Sequence, residues 1–317
     1  MARYLLGRTL AALLVLWLVI TATFVMIQAA PGGLSILMNP NISAEEAARL
    51  GRNLGLDRPV HEQYVQWLGN FLRGDLGASL SYAGRPVGAM VVERLPATLK
   101  LGLSAALFAV AVGVPLGVAA ARHQNGFVDQ AAGVVSGTLL ATPNFWLGIL
   151  LIVLFAVQLE WLPASGIRTI GSRGGGLADQ LAHLVMPAVV LGTSTLAELT
   201  RYTRSAWLET MRQDYVRTAR SKGLARGAVD RKHVLKNALI PVVTVFGVAL
   251  PRLIGGSAVV ETLFSWPGLG QLAVDAALRR DTPLILGVTV FVSLMVVVSN
   301  LVIDATYPLL DPRVHYS

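Results

Sequence analysis

The sequence contains no cysteine, which excludes disulfide bonds and thiolate-ligated metal sites. It is also poor in charge, since 14% of its residues are Asp, Glu, Lys or Arg, whereas an average soluble domain has about 25%. The shortage is concentrated in long segments that carry no charge at all. Together with a positive mean hydropathy, this pattern indicates a polytopic membrane protein rather than a globular one.

Several functional motifs are absent as well. No Gly-x-x-x-x-Gly-Lys-Ser/Thr sequence occurs, so the chain has no P-loop with which to bind ATP phosphates. Residues 61–65, HEQYV, begin like a zinc-protease helix, but Val65 stands where the second histidine would be needed. The net charge of +8 comes without an aromatic-interleaved basic sheet or a basic helix free of membrane segments. We therefore expect no metal, no cofactor in this chain and no nucleic-acid partner.

Six apolar segments are long enough to cross a bilayer, for which a helix needs roughly 20 residues. They are residues 9–30, 97–121, 131–159, 181–200, 238–260 and 283–303. The first is longer than the apolar core of a signal peptide, about 7–15 residues, so we expect it to be retained. The predicted fold class is all-α, with six transmembrane helices.

The distribution of Lys and Arg predicts the orientation of these helices. If the N-terminus is cytoplasmic, the inside segments hold 14 of the 26 basic residues and the outside segments hold ten. Six of the outside ten lie in the long 31–94 segment, where six acids match them. Because long loops count little in the positive-inside rule, both termini are predicted to be cytoplasmic. The ten bases between Arg201 and Lys236 then face the cytoplasm and attract anionic membrane lipid.

This topology divides the chain into four parts. Residues 1–30 are the N-terminal transmembrane helix, and 31–96 are an extracytoplasmic helical segment. Residues 97–308 form a five-helix core with a cytoplasmic loop at 201–240, and 309–317 are a cytoplasmic tail.

The extracytoplasmic segment shows helix signals of its own. Ser43 and Glu46 match a capping box, and Pro59 suits the first position of a helix. An amphipathic face follows at Val60, Tyr64, Trp67, Leu68 and Phe71. The segment either caps the ends of the membrane helices, or contacts a substrate-binding protein, or forms a lid on the pathway.

The basic stretch 215–241, YVRTARSKGLARGAVDRKHVLKNALIP, holds seven bases and one acid, Asp230. Val216, Ala219 and Gly223 recur at helical spacing, so a helix here would have a small-residue face that another surface can approach closely. Gly223 is a natural stop for that helix, and a second short helix is predicted from about Ala228 to Lys236. The stretch is either a docking surface for a partner protein or a loop that contacts lipid headgroups.

Small residues and prolines mark the apolar segments. The pairs Gly113/Gly117 and Gly133/Gly137 have the small-xxx-small spacing of close helix packing. Pro115 and Pro143 are expected to kink their helices.

Ionisable groups inside membrane spans are candidates for a transport role. Glu198 and Arg252 meet this description, although both lie near predicted helix ends, and His183 is expected at the interface. Two other classes compete here. An ion-coupled secondary transporter would need ionisable groups near mid-membrane, which the second, third and sixth helices almost lack. An intramembrane hydrolase would need a base beside Ser257, yet no histidine lies in that span.

The segment DYVRTARSKGLARGAVDRKHVLKNALIPVVT (214–244) resembles the cytoplasmic coupling loop of ABC-transporter permeases of the dipeptide/oligopeptide/nickel importer family. The general pattern of that loop begins with Glu-Ala-Ala, and this chain has Arg-Thr-Ala at residues 217–219 instead. Gly223 matches the glycine of the pattern. Ile240-Pro241 matches its end, although at a longer spacing. Three more segments resemble the same family: GLDRPVHEQYVQWLGNFLRGDLGASL (55–80), ETLFSWPGLGQLAVDAALRRDTPL (261–284) and YPLLDPRVHY (307–316). The resemblance covers essentially the whole chain.

The resemblance implies a type I importer permease in a bacterial inner membrane. Its partners would be a homologous second permease, two ATP-binding subunits that carry ATP and Mg²⁺, and an extracytoplasmic solute-binding protein. The chain itself would not be an enzyme. The residues implied in coupling to the ATPase subunits are Tyr215, Val216, Arg217, Ala219, Arg220, Lys222, Gly223 and Leu224. Dipeptides, oligopeptides, nickel chelates, opines and oligosaccharides are all candidate solutes, and no motif marks the residues of the pathway.

Overall fold

The structure, a computed structural model, describes residues 2–29, 45, 58–169, 176–255 and 257–310. The helices in chain order are α1 (Ala2–Ala29), α2 (Val60–Leu72), α3 (Val87–Arg122), α4 (Phe127–Ala141), α5 (Asn144–Leu151), α6 (Leu177–Met211), α7 (Asp214–Ser221), α8 (Arg226–Val229), α9 (Lys236–Ile254), α10 (Ala258–Leu263), α11 (Leu269–Leu278) and α12 (Thr282–Leu310). A π-helical segment, Ile152–Gln158, extends α5, and another, Asp230–Leu235, joins α8 to α9. The all-α fold class is confirmed.

Five helical stretches are long and apolar enough to cross a membrane. They are Gly7–Ala29, Val87–Arg122, Leu177–Met211, Arg226–Ile254 and Thr282–Asp304. A sixth span results if the bent pair Phe127–Ala141 and Asn144–Gln158 is counted as one. The chain is therefore a multi-pass membrane protein. Helix α6 is longer than its predicted span, because it continues to Met211 into what was predicted as the start of the cytoplasmic loop.

The third predicted span, 131–159, is not a continuous helix. Helices α4 and α5 meet at an angle of 106°. The bend lies at Thr142, whose backbone is extended with ψ 123°, and at Pro143, which precedes α5. Proline disfavours the helical conformation of the residue before it and has no N–H to donate, which explains why a charge-free apolar run breaks here.

The fifth predicted span, 238–260, is shifted relative to the helix that forms. The helix ends at Ile254, and α10 begins after Ser257, whose hydroxyl accepts a hydrogen bond from the Val260 N–H. The separate short helix predicted from Ala228 to Lys236 is also wrong, since Arg226–Ile254 is helical throughout. Membrane helices accommodate a proline such as Pro241 through local π-helical adjustment, and a π-helical segment precedes it here.

Close packing of α3 against α6 forms the centre of the fold. A Cβ atom at Gly117 would lie 2.6 Å from the carbonyl oxygen of Thr200, and one at Gly113 would lie 2.8 Å from that of Leu196. The Thr200 hydroxyl donates to the Gly113 carbonyl at 3.2 Å. Only glycine permits this approach, so the predicted packing role of the pair Gly113/Gly117 is confirmed.

Helix α2 packs against α1 through its aromatic side chains. The hydroxyls of Tyr64 and Thr21 are 2.7 Å apart, and Phe24 contacts the rings of both Tyr64 and Trp67. The predicted amphipathic face is thus confirmed for Tyr64 and Trp67, whereas Val60 stays half exposed. The predicted capping box at residues 43–46 lies outside the described residues.

Candidate coupling surface and polar groove

Helix α7 is attached to the rest of the chain by its small residues. Val216 is 0% exposed and Ala219 is 5% exposed. They belong to a hydrophobic cluster with Ala121, Ala206, Trp207, Val229, Val234 and Ala238. Helices of the same chain cover both side chains, so Val216 and Ala219 pack within the chain and do not lie on the outer surface of α7. Helical periodicity identified the face correctly but could not tell what lies against it.

An ionic contact supports the same attachment. Asp230, the one acid of the basic stretch, is buried and forms an ion pair with Arg122 at 3.0 Å. The Arg122 guanidinium also lies over the Trp207 ring, 5.3 Å from its centre. Three elements thus meet beneath α7: the end of α3, the end of α6 and the π-helical segment after α8.

The opposite face of α7 and the turn after it are exposed. This outer surface comprises Tyr215, Arg217, Thr218, Arg220, Ser221, Lys222, Gly223 and Leu224. Two apolar side chains stand in it, Tyr215 at 43% and Leu224 at 47% exposure. Gly223 ends the helix as predicted, with φ +75° and an N–H that donates to the Arg220 carbonyl at 2.9 Å. The surface is basic with an apolar residue at each end, which is the composition of a protein contact more than of a lipid-facing loop.

A polar groove runs between α4, α6 and α9. One part of it is lined by Asn125, Asp129, Gln130, Gly133, Gly137, Arg201, Arg204 and Ser205. The adjoining part is lined by Leu140, Glu198, Arg201, Tyr202, Ser205, Thr244, Val245, Val248 and Arg252. Arg201 and Ser205 belong to both parts, so the groove is continuous along α6.

Two ion pairs cross this groove. Arg252 of α9 donates to Glu198 of α6 at 2.9 Å, so the structure brings together two residues that the sequence indicated separately. Arg204 of α6 forms a two-bond ion pair with Asp129 of α4, its Nη2 donating at 2.7 Å. Arg201 lies between these pairs, and among the described residues no carboxylate forms an ion pair with it.

The sequence contained a signal for this groove that single-residue inspection missed. Glu198, Arg201, Tyr202 and Ser205 are spaced i, i+3, i+4 and i+7, which makes a polar stripe on one face of α6. The Asp129–Arg204 pair could not be found this way, because its members are 75 positions apart. His183 is buried near the start of α6, and its Nδ1 lies 2.8 Å from the Asp179 carbonyl oxygen.

The glycines of α4 face the groove rather than a helix. A Cβ atom added at Gly133 or Gly137 would meet no atom of this chain within 4 Å. The predicted packing role of this pair within the chain is therefore wrong. The two positions leave the groove wall free of side chains.

Comparison with protein families places both parts of the chain in one group. Residues 113–316 match the family described as binding-protein-dependent transport system inner membrane component. Residues 1–102 match the N-terminal part described for membrane components of the same transport systems.

Curated proteins similar to the chain match it over nearly their full length. The oligopeptide transport system permease protein AppB of Bacillus subtilis (strain 168) is 43% identical over 317 residues, which is 100% of both chains. The dipeptide transport system permease protein DppB of Escherichia coli (strain K12) is 39% identical over 93% of each chain. The di/tripeptide transport system permease protein DppB of Pseudomonas aeruginosa (strain UCBPP-PA14) is 40% identical, again over 93% of each.

Solved structures share the fold. Two inward-facing crystal forms of the MetNI methionine ABC transporter contain a similar chain, with TM-scores of 0.56 and 0.51 at 19% and 20% identity. The matches cover 70% and 68% of this chain, and 97% and 96% of the other. At this identity the likeness describes the architecture of the membrane helices alone.

Proposed function

Since the chain belongs to the family of binding-protein-dependent transport system inner membrane components, we propose that it imports peptides as one of the two permease halves of an ATP-driven importer. It is a membrane permease subunit and not an enzyme, and the family couples such subunits to separate ATPases. The peptide assignment rests on the names of relatives that are about 40% identical over nearly the whole chain.

The observation that carries this proposal is the polar groove between α4, α6 and α9. Charged side chains inside a membrane protein are costly unless they face a water-filled cavity or one another. The groove contains an ion pair at each end and Arg201 between them. A homologous second permease placed against this face would enclose a pathway that offers both charge signs and hydroxyl groups, which suits the amides and charged ends of a peptide.

We assign ATPase coupling to the outer surface of α7 and its turn. Each of the two ATP-binding subunits, which would hold ATP and Mg²⁺, contacts one permease half through such a surface. Tyr215 and Leu224 supply apolar contacts, and Arg217, Arg220 and Lys222 supply charge. Val216 and Ala219 act indirectly, because they fix α7 to the ends of α3 and α6.

Uptake measurements test the assigned function. The experiment uses liposomes that contain the chain, its second permease and two ATPase subunits. ATP is supplied on the membrane side of α7, and the solute-binding protein is supplied on the opposite side. We expect uptake of a labelled dipeptide or tripeptide that requires ATP and persists when a protonophore removes ion gradients. Uptake that follows an ion gradient without ATP would contradict the importer assignment. ATP hydrolysis stimulated by the binding protein without peptide uptake would contradict the peptide assignment alone.

The proposed orientation places α7 in the cytoplasm of a bacterial cell, below the inner membrane. Because the chain contains no cysteine, single cysteines can report it directly. Two exposed serines suit this test: Ser221 is the last residue of α7, and Ser165 lies in the segment between α5 and α6. We expect Ser165→Cys to react with a membrane-impermeant thiol reagent in intact cells and Ser221→Cys to react only after lysis. The opposite labelling pattern would reverse the orientation.

A further inference from the structure

A second charged cavity, of about 420 Å³, lies far from the groove and from α7. It is formed by the first part of α3, the segment before α6, the start of α6 and the turn before α11. The residues that matter here are Glu93, Arg94, Lys100, Arg168, Gln180 and Trp266. Nothing in the proposed function so far uses this cavity.

The cavity opens on the membrane face opposite α7. Lys100 and Arg122 are both on α3, 22 positions apart, which corresponds to about 33 Å along a helix. The hydrocarbon core of a bilayer is about 30 Å thick. Arg122 contacts Asp230 and Trp207 beneath α7, so Lys100 and the cavity lie at the other membrane surface.

The cations of the cavity are held by neutral groups. Arg94 donates to the side-chain oxygen of Gln271 at 3.3 Å, and Lys100 donates to that of Gln180 at 3.0 Å. These amides fix the two side chains without neutralising them. Neither cation has a carboxylate at ion-pair distance within the described part of the chain.

The acids around the cavity are engaged elsewhere. Glu93 forms an ion pair with Arg85 at 2.9 Å. Asp179, near Arg168, accepts hydrogen bonds from the hydroxyl and the N–H of Thr169.

Glu261 is the remaining acid, and it lies buried beneath Arg94. Burial raises the pKa of Glu261 above its usual value, although hydrogen bonds from Gln271 and Thr98 oppose the shift. The cavity itself is lined by three cations, Arg94, Lys100 and Arg168, and by one carboxylate, Glu93, so its lining carries an excess of positive charge.

Hydrogen bonds connect the walls of the cavity. The Trp266 indole N–H donates to the Ala97 carbonyl at 2.8 Å. The Thr98 hydroxyl bonds Glu261 at 3.1 Å and accepts from the Leu269 N–H at 2.7 Å. These bonds join α3 to α10, to α11 and to the turn before α11, so they hold together the segments that form the cavity.

We propose that this cavity receives acidic side chains of the solute-binding protein, with Arg94 and Lys100 as the main contacts. The inference rests on the proposed function, because a binding-protein-dependent permease must be met by that protein on the side opposite the ATPases. Two inter-helix segments form part of the rim, residues 160–169 and the turn at Trp266, and a backbone bond from Gly166 to Phe264 at 2.8 Å joins them. A protein partner can reach this rim from the aqueous side, whereas a lipid headgroup would approach Lys100 from the bilayer.

The test uses the full importer complex and its binding protein. The double variant Arg94→Gln/Lys100→Gln removes both charges and keeps hydrogen-bonding side chains. The matched control, Arg73→Gln/Arg280→Gln, removes two exposed charges from the same membrane face. For each complex in phosphatidylcholine nanodiscs, ATP hydrolysis is measured against binding-protein concentration at low and high salt.

We expect the cavity variant to need at least about tenfold more binding protein for half-maximal stimulation and to lose most of its salt dependence. The control should shift by less than about twofold, and hydrolysis without binding protein should stay unchanged in both. Equal shifts in the two variants would overturn the inference in favour of diffuse surface charge. A defect that appears only in discs containing phosphatidylglycerol would overturn it in favour of a lipid site.

The failure of the inference and that of the proposed function are distinguishable. If the wild-type complex is stimulated by the binding protein and the cavity variant behaves identically, only the docking inference is wrong. If the wild-type complex is not stimulated at all, the proposed function is wrong and the docking inference is overturned with it.

Discussion

Replacing Gly117 by leucine should destabilise the protein strongly, whereas the same replacement at Gly137 should not. At Gly117 the first side-chain atom would lie 2.6 Å from the Thr200 carbonyl oxygen and 2.7 Å from the Thr203 Cβ. The main chain of α6 would have to move away, and overpacking of this kind costs roughly 3 kcal/mol or more. We expect the thermal midpoint of the detergent-purified chain to fall by roughly 6–12 °C, or the protein not to accumulate.

The Gly137→Leu variant is the matched control, because it adds the same side chain where no atom lies within 4 Å. Its midpoint should stay within about 2 °C of the wild type, since surface substitutions usually change stability little. Peptide uptake should nevertheless fall, because the leucine would project into the groove between α4 and α6. Equal destabilisation of the two variants would contradict the packing described for α3, α4 and α6.

The second large effect is expected at the outer surface of α7. The double variant Tyr215→Ala/Leu224→Ala removes two half-exposed apolar side chains and leaves every charge in place. If this surface contacts an ATPase subunit, binding should weaken at least about tenfold, as is typical when central apolar contacts are truncated. Co-purification of the ATPase subunits and ATP-dependent uptake should both be lost, while insertion and thermal stability stay unchanged.

The control for this experiment is Arg231→Gln/Lys232→Gln, which removes two exposed charges from the helix that follows. A lipid-facing loop predicts the reverse ranking, because charge would matter there and apolar contact area would not. Full retention of the ATPase subunits in the Tyr215/Leu224 variant would rule out α7 as the coupling surface.

The sequence predicted the fold class and six spans, five of which correspond to continuous helical stretches, because hydropathy over roughly 20 residues reports directly on membrane insertion. It did not predict that two of the apolar runs are interrupted, one by a bend and the other by the end of its helix. The bend at Thr142–Pro143 and the end of α9 at Ile254 depend on single backbone positions inside segments of uniform composition. Averaged hydropathy does not register such positions.

The candidate site was predicted only in part for a different reason. Periodicity shows which residues share a helix face, and it identified both the small face of α7 and the exposed turn at Gly223. It does not show whether that face is covered, and the structure shows that Val216 and Ala219 are buried against other helices of the same chain. The pair formed by Asp129 and Arg204 joins distant segments, and only the three-dimensional arrangement reveals it.

The length of α3 has a mechanical consequence. Its 36 residues form one helix of about 54 Å, longer than the bilayer is thick. One end is fastened beneath α7 through Arg122, and the other carries Arg94 and Lys100. Between them, Gly113 and Gly117 press the helix against α6. If the helix tilts about this contact, its two ends move in opposite directions, so that a displacement at one membrane surface would produce a displacement at the other.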